Sequence, residues 1–252
     1  VIFLGPADEA LPRFLRDLKN GSYAKRYVSA ERQIKDLPKI RRDLIKRNKY
    51  LVPNSLVVSR GCPHHCSFCY KDSFYAGGKS FYTTTIDSAL EEINSLPGKH
   101  LYFLDDHLFG NYKFASNLFD SMIGMNRVFQ AAATVESILT GDIVEKAQAA
   151  GLRSLFVGFE TLSENNLRSS NKTQNLKRNY EQAVKKLHDL GIMINGSFVF
   201  GMDDDDKDVF SRTVDWATRN SMTTCTFHIM TPYPGTELFK RLEAEKRIRT
   251  YE

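Results

Sequence analysis

Nothing in these 252 residues reads as a membrane span or a secretory leader. No apolar run approaches the roughly 20 residues that cross a bilayer as a helix. The opening Val1-Ile2-Phe3-Leu4-Gly5 has neither the basic flank nor the longer apolar stretch of a signal peptide. A cytoplasmic location is the resulting expectation. An initiator Met is also missing, and Val1 falls at what reads as the middle of a strand, so the chain is expected to be a fragment of something longer. Cysteine is scarce, with four in all and three of them inside eight residues. Clustered thiols without a secretory signal favour metal or redox chemistry over a disulfide framework.

What is present is ordinary for a globular protein. Hydrophobic residues make up 42% and charged residues 26%, and the length suits one large α/β domain or two small ones. The net charge of +5 is unevenly spread, because Arg13 to Lys49 holds 13 Lys/Arg against 4 Asp/Glu. Such a stretch suits nucleic acid or an acidic lipid surface. Leu37, Ile40, Leu44 and Ile45 fall at helical spacing within it, and the preferred reading is a solvated helix and linker.

Residues 1–22 read as a strand end, a glycine turn and a short helix, with Leu11, Phe14, Leu15 and Leu18 helically spaced. Residues 23–50 read as a basic connector containing Pro38. From residue 51 a pattern repeats six times: a short apolar strand, a loop and an amphipathic helix. The strands are expected near 55–59, 100–104, 128–133, 154–158, 193–200 and 224–230, where β-branched and aromatic residues concentrate. Helices are expected near 85–95, 112–124, 140–150, 176–190, 207–219 and 236–246. This alternation predicts an α/β fold with a parallel sheet and right-handed crossovers. Six units fall short of an eightfold barrel, so a partial (β/α)6 TIM-like barrel is the first choice and an open doubly wound sheet the second. Either way, functional groups belong at the carboxyl ends of the strands.

Cys62-Pro63-His64-His65-Cys66-Ser67-Phe68-Cys69 is expected directly after the first of these strands. A short loop with two close thiolate spacings can wrap one compact metal centre, and thiolates are the usual ligands of iron–sulfur clusters. Three ligands on a four-iron cube leave one iron open. Cys225, beside Phe227 and Ile229, reads as a packed thiol rather than a fourth ligand. The alternative is a structural zinc site completed by His64 or His65. Zinc motifs usually pair two separated couples, and no second couple exists here.

Cys-x3-Cys-x2-Cys with an aromatic before the last cysteine, after the first strand of a partial barrel, resembles the radical S-adenosylmethionine superfamily over about residues 51–247. The resemblance implies a [4Fe–4S] cluster held by Cys62, Cys66 and Cys69, whose open iron binds S-adenosylmethionine. Reductive cleavage would then release methionine and a 5′-deoxyadenosyl radical. It also implies a flavodoxin- or ferredoxin-type reductant, and Phe68 as a cofactor contact. Asp105 and Asp106 end the second strand where relatives carry a Gly-Gly-Glu-like element, so one of the two is expected near the methionyl end or the substrate. The other reading of the pair is a cap on the following loop. Glu160 in Gly158-Phe159-Glu160 is similar to an acid lying by the nucleoside, with Glu136 a weaker candidate for the same pocket. Ser197 lies in a stretch that resembles the strand packed near adenine. Asp203 to Asp206 read as a helix cap.

Thr231-Pro232-Tyr233-Pro234-Gly235-Thr236 resembles an element shared by tRNA methylthiotransferases and cobalamin-dependent radical enzymes. The opening Phe3 to Leu11 is similar to the last strand and helix of a cobalamin-binding, Rossmann-like domain. The expected organisation is therefore the end of a truncated cobalamin-binding domain over 1–22, the basic connector over 23–50 and the barrel over 51–252. The leading reading is a radical enzyme for cobalamin-dependent methylation, or a related rearrangement, of an unreactive carbon in a small molecule, with cobalamin in the longer protein. The alternatives are a tRNA methylthiotransferase, for which the basic connector would meet RNA, and a non-catalytic structural metal-binding protein.

Overall fold

The computed structural model describes residues 1–29, 34, 37–75 and 78–250. The chain opens with a β–α–β unit: β1 (Ile2–Leu4), α1 (Ala7–Lys19) and β2 (Arg26–Val28), with the two strands paired in parallel. β2 lies inside the stretch expected to be connector. Its signal is three residues long, and only Tyr27 is buried, stacked on Phe3 at 5.8 Å. The helix expected around Leu37 to Ile45 does not form. Two 3-10 turns, Arg42–Leu44 and Arg47–Lys49, take its place, and Ile40 and Leu44 stay exposed. Helical spacing there has no apolar surface to cover, and neighbouring cations repel along a helix face.

The barrel portion begins with β3 (Ser55–Leu56), then the antiparallel pair β4 (Ser59–Gly61) and β5 (Phe81–Thr83) with α2 (Lys71–Phe74) between them. α3 (Ile86–Ser95), β6 (His100–Phe103) and α4 (Tyr112–Met122) follow. Next come β7 (Val128–Thr134), α5 (Val135–Leu139), α6 (Ile143–Ala149), β8 (Leu152–Glu160), α7 (Glu164–Ser169) and α8 (Tyr180–Asp189). β9 (Met193–Phe200), α9 (Val209–Arg219), β10 (Thr224–Ile229) and α10 (Glu237–Ala244) complete the chain. Six strands form one parallel sheet in the order β10-β9-β8-β7-β6-β3, so the expected open, partial barrel is what the chain builds. The expected strand at 55–59 divides in two. Ser55–Leu56 joins the sheet, and Ser59–Gly61 leaves it for the hairpin with β5.

Period-2 alternation gives each strand of the sheet two faces. Leu101, Phe103, Phe129, Leu155, Val157, Phe159, Ile194 and Phe198 point outward to the helices and build the core. Phe103 and Phe129 meet edge-on at 5.2 Å, while Phe159 stacks on Phe198 at 5.6 Å and meets Trp216 edge-on at 5.4 Å. The opposite, concave face carries Val57, Leu104, Phe156, Gly158, Glu160, Asn195 and Ser197. Val57, Leu104 and Phe156 are exposed although apolar, as residues lining an open barrel must be. Asn111, Thr134, Asn179 and Thr236 cap the helices that follow them with side-chain oxygens, which orients each helix as it leaves its strand or turn. Among the described residues no helix is long and apolar enough to cross a membrane.

Candidate active site

The cysteine loop hangs from the β4/β5 hairpin at the carboxyl edge of the sheet. Its base closes where Cys62 N–H donates to Ser80 O at 3.0 Å. Gly61 adopts φ +84°, and a Cβ there would run into the Ser80 carbonyl, so only glycine lets the hairpin close on the loop. Three long-range bonds then hold the loop's far side. Ser67 N–H reaches Ser170 O at 2.9 Å, Leu238 N–H reaches Ser67 O at 2.9 Å, and Asn171 Nδ2 donates to His65 O at 2.6 Å. The Lys71 ammonium, almost wholly buried, donates to the carbonyls of Cys62 (2.9 Å) and His64 from inside the loop and to Asp72 at 2.8 Å.

Asp105 and Asp106 both turn back toward the base of this loop. The buried Asp105 carboxylate accepts from Val58 N–H at 3.1 Å, from Ser59 Oγ at 2.5 Å and from Ser59 N–H. Burial pushes its carboxyl up to about 7, against the pull of those donors. Asp106 accepts from Gly61 N–H at 2.9 Å and from Tyr70 Oη at 3.0 Å. The pair therefore stitches the loop to the second strand of the barrel, and Asp106 also lines the mouth of the barrel.

Glu160 ends β8 at φ +66°, where the register with β9 shifts. Its Oε1 accepts from Lys172 Nζ at 2.6 Å, and both side chains are buried. A Cβ on Gly158 would sit 2.6 Å from that carboxylate oxygen and 3.1 Å from the ammonium, so this glycine makes room for the pair. Burial pulls the Lys172 ammonium down, but the charges of Glu160 and Cys66 outweigh it and hold the amine above its ordinary range. Glu136 lies at the start of α5, where it accepts from Arg178 Nη2 at 3.0 Å and stands 3.9 Å from His64 Nε2. Ser197 is buried on the concave face opposite Gly158 of β8. Phe68 faces a crevice of about 60 Å³ shared with Gly201, Met202, Met230 and Leu238.

The thiols of Cys62 and Cys69 are raised by burial, the former to about 11. A positive centre that binds thiolates would reverse that cost. Three further buried polar atoms in this region lack partners among the described residues: Gln174 Oε1, Asn175 Oδ1 and His107 Nδ1. His107 lies 5.5 Å from the ring of His64, and burial followed by the nearby charges of His64 and Lys172 lowers it to about 3, which keeps it neutral. No three His, Cys, Asp or Glu side chains among the described residues converge on a point as a single metal ion demands. A cube whose irons each take one thiolate makes no such demand. Three thiols in one clamped loop, an orphaned amide oxygen and an orphaned imidazole nitrogen fit a cluster with a polar ligand on its open iron.

Comparison with known proteins accords with that geometry. Residues 56–217 match the Radical SAM superfamily. The chain belongs to the radical SAM superfamily. That membership carries the [4Fe–4S] cluster and S-adenosylmethionine as the cofactors of this fold. This radical SAM chain is 32% identical over 82% of its length to bacteriochlorophyllide d C-12(1)-methyltransferase of Chlorobaculum tepidum, covering 45% of that protein. It is 25% identical over 82% of its length to the hopanoid C-2 methylase of Rhodopseudomonas palustris, covering 40% of that protein. It thus spans about half the length, or less, of these curated relatives. In fold it resembles the radical S-adenosylmethionine methyltransferase TsrM from Kitasatospora setae, solved with tryptophan and an S-adenosylmethionine analogue. The TM-score is 0.70 at 16% identity, over 89% of this chain and 50% of that one.

Cys225 packs, half-buried, against the hydrophobic core at the start of β10, although Phe227 and Ile229, expected to be core, are exposed. The acidic run does not cap the following helix as expected, because Asp208 opens α9 and makes no side-chain cap bond. Asp205 accepts from Gly201 and Met202 N–H groups at 2.8 and 2.9 Å, and Asp203 pairs with Arg241 and Arg247. Sequence reasoning missed Lys71, His107, Lys172 and Gln174. The three that follow no strand end look like solvated loop residues, and His107 reads as part of the aspartate turn.

Proposed function

We propose that this radical SAM chain is the catalytic barrel of a cobalamin-dependent methyltransferase, or of a related carbon-skeleton enzyme, acting on an unreactive carbon of a small molecule. The observation that carries the reading is the clamped three-cysteine loop at the carboxyl edge of the sheet, in a chain whose curated relatives include methyltransferases. When bound, the cluster and S-adenosylmethionine supply a reductively generated 5′-deoxyadenosyl radical. Cys62, Cys66 and Cys69 would hold the cluster, with the Lys71 ammonium fixing the loop carbonyls behind them. Glu160, locked by Lys172, is a preset acceptor for ribose hydroxyls or an ammonium group. Glu136 and Ser197 are further candidates for the same pocket, Phe68 is a candidate cofactor contact from its own crevice, and Asp106 offers a carboxylate oxygen at the mouth of the barrel.

A cleft of about 380 Å³ separates the turn after β1, at Pro6, Ala7 and Asp8, from Val57, Leu104 and Asp106 at the mouth. Its placement supports a second reactant entering between the N-terminal unit and the barrel. We assign that unit, residues 1–22 extended by β2, to the end of a cobalamin-binding domain, with the connector running on to residue 50 and the barrel from 51. The electron is expected from a flavodoxin- or ferredoxin-type carrier.

Anaerobic reconstitution tests the reading. The protein is expected to take up about four irons per chain, and with dithionite and S-adenosylmethionine to release 5′-deoxyadenosine. Cys62→Ala, Cys66→Ala and Cys69→Ala abolish release, while Cys225→Ala retains the cluster. One equivalent of zinc with no iron uptake would sink the proposal.

A further inference from the structure

Gln174 sits in the turn that precedes α8, buried against the cysteine loop. Its Nε2 donates to Cys66 Sγ at 3.4 Å, and among the described residues its side chain makes no other hydrogen bond. The other amide atom, Oε1, is buried without a partner. A buried carbonyl left unpaired costs about 1–3 kcal/mol. Methionine or leucine would fill a similar volume without that penalty, so stability alone does not account for glutamine here. The orientation of the amide follows from sulfur chemistry. A ligating thiolate only accepts hydrogen bonds, so the NH2 side must face Cys66 and the oxygen must face away.

The three cysteines differ in their donors. Backbone N–H groups of His64 and Lys71 reach Cys62 and Cys69, each from two residues further along the chain. Cys66 takes its donor from a side chain more than a hundred residues away, whereas the buried Lys172 ammonium acts on all three sulfurs. Hydrogen bonds to cluster sulfurs are among the features that set a cluster's reduction potential, because they stabilise the more negative, reduced state.

We propose that Gln174 is a positioning residue for cluster reduction: its N–H, aimed at the Cys66 thiolate, makes the cluster easier to reduce. The inference rests on the cluster assignment above. The step is one electron, gained by the cluster and lost by the flavodoxin- or ferredoxin-type carrier or by dithionite in its place. No bond forms or breaks at Gln174.

An EPR-monitored redox titration of the reconstituted chain, without S-adenosylmethionine, reads this directly. At the potential that half-reduces the wild type, Gln174→Met and Gln174→Leu are expected to lower the reduced-to-oxidised ratio by about three- to tenfold. A tenfold change corresponds to about 59 mV for a one-electron couple. Gln174→His, which keeps an N–H, should return the ratio toward wild type. An unchanged ratio in a methionine or leucine variant that retains its cluster overturns the inference and leaves the proposed function standing. A histidine variant shifted as far as the methionine variant also overturns it. A wild-type chain that takes up no iron overturns both.

Discussion

Lys172 stands in a polar run, Ser169-Ser170-Asn171-Lys172, that reads as a solvated turn. Its burial against Glu160 depends on the chain returning beneath the cysteine loop, a long-range event with no local signature. Glu160 was legible because it closes an apolar strand, and the cysteines were legible because their spacing is local. Lys71 and Gln174 share the fate of Lys172, since each is polar, unremarkable in its own segment and buried only by packing. The pair at 2.6 Å makes a specific prediction. Lys172→Met strips a buried carboxylate of its cation, and removing one partner of such a pair costs about 3–5 kcal/mol. Chemical denaturation should show a loss of about 3 kcal/mol or more by that measure, with Lys172→Met/Glu160→Gln less destabilised than Lys172→Met alone. A single-variant loss well under 1 kcal/mol would mean that the pair contributes little.

At the scale of elements, the six strand–helix units of the sheet were legible because each strand falls in a short run rich in β-branched or aromatic residues and each helix has a polar face. The β4/β5 hairpin was not. Ser59-Arg60-Gly61 carries no apolar signal, and its partner is three residues long. What fixes β4 is Asp105, which reaches across from the end of β6 to the amides of Val58 and Ser59. The folded-state carboxyl lies near 7, above its ordinary 3.8. Folding therefore favours the protonated form. The stabilising contribution of that proton is present below about pH 4 and is lost as the pH rises through about 7. Asp105→Asn cannot titrate at this position. The stability of the wild type minus that of Asp105→Asn, from denaturant melts at each pH, should fall across this window and level off above it. A difference that stays flat or rises with pH would show that the donors around Asp105 hold it ionised in the folded state.

At the scale of the whole molecule, two bodies of unequal robustness share one chain. β7, β8 and β9 lie mid-sheet with helices packed on their outer face, and Phe129, Leu155, Val157 and Ile194 are almost or wholly excluded from water. The β1–α1–β2 unit has two strands, and a two-stranded sheet is marginal by itself in water. Ile2, Leu4 and Val28 remain exposed on it, and within it Ala10 and Tyr27 are the buried apolar residues among those described. Its tie to the barrel includes the Asp8–Arg60 ion pair at 3.0 Å, both side chains about a third exposed. A pair so exposed contributes about 0–1 kcal/mol. Native-state hydrogen exchange should therefore find the amides of β1 and β2 opening well before those of β7 to β9, as separate cooperative units. Asp8→Ala should lower protection in the N-terminal unit and leave β7 to β9 unchanged. Equal protection of β1 and β8 would mean that the unit and the barrel open together, held by more than this ion pair.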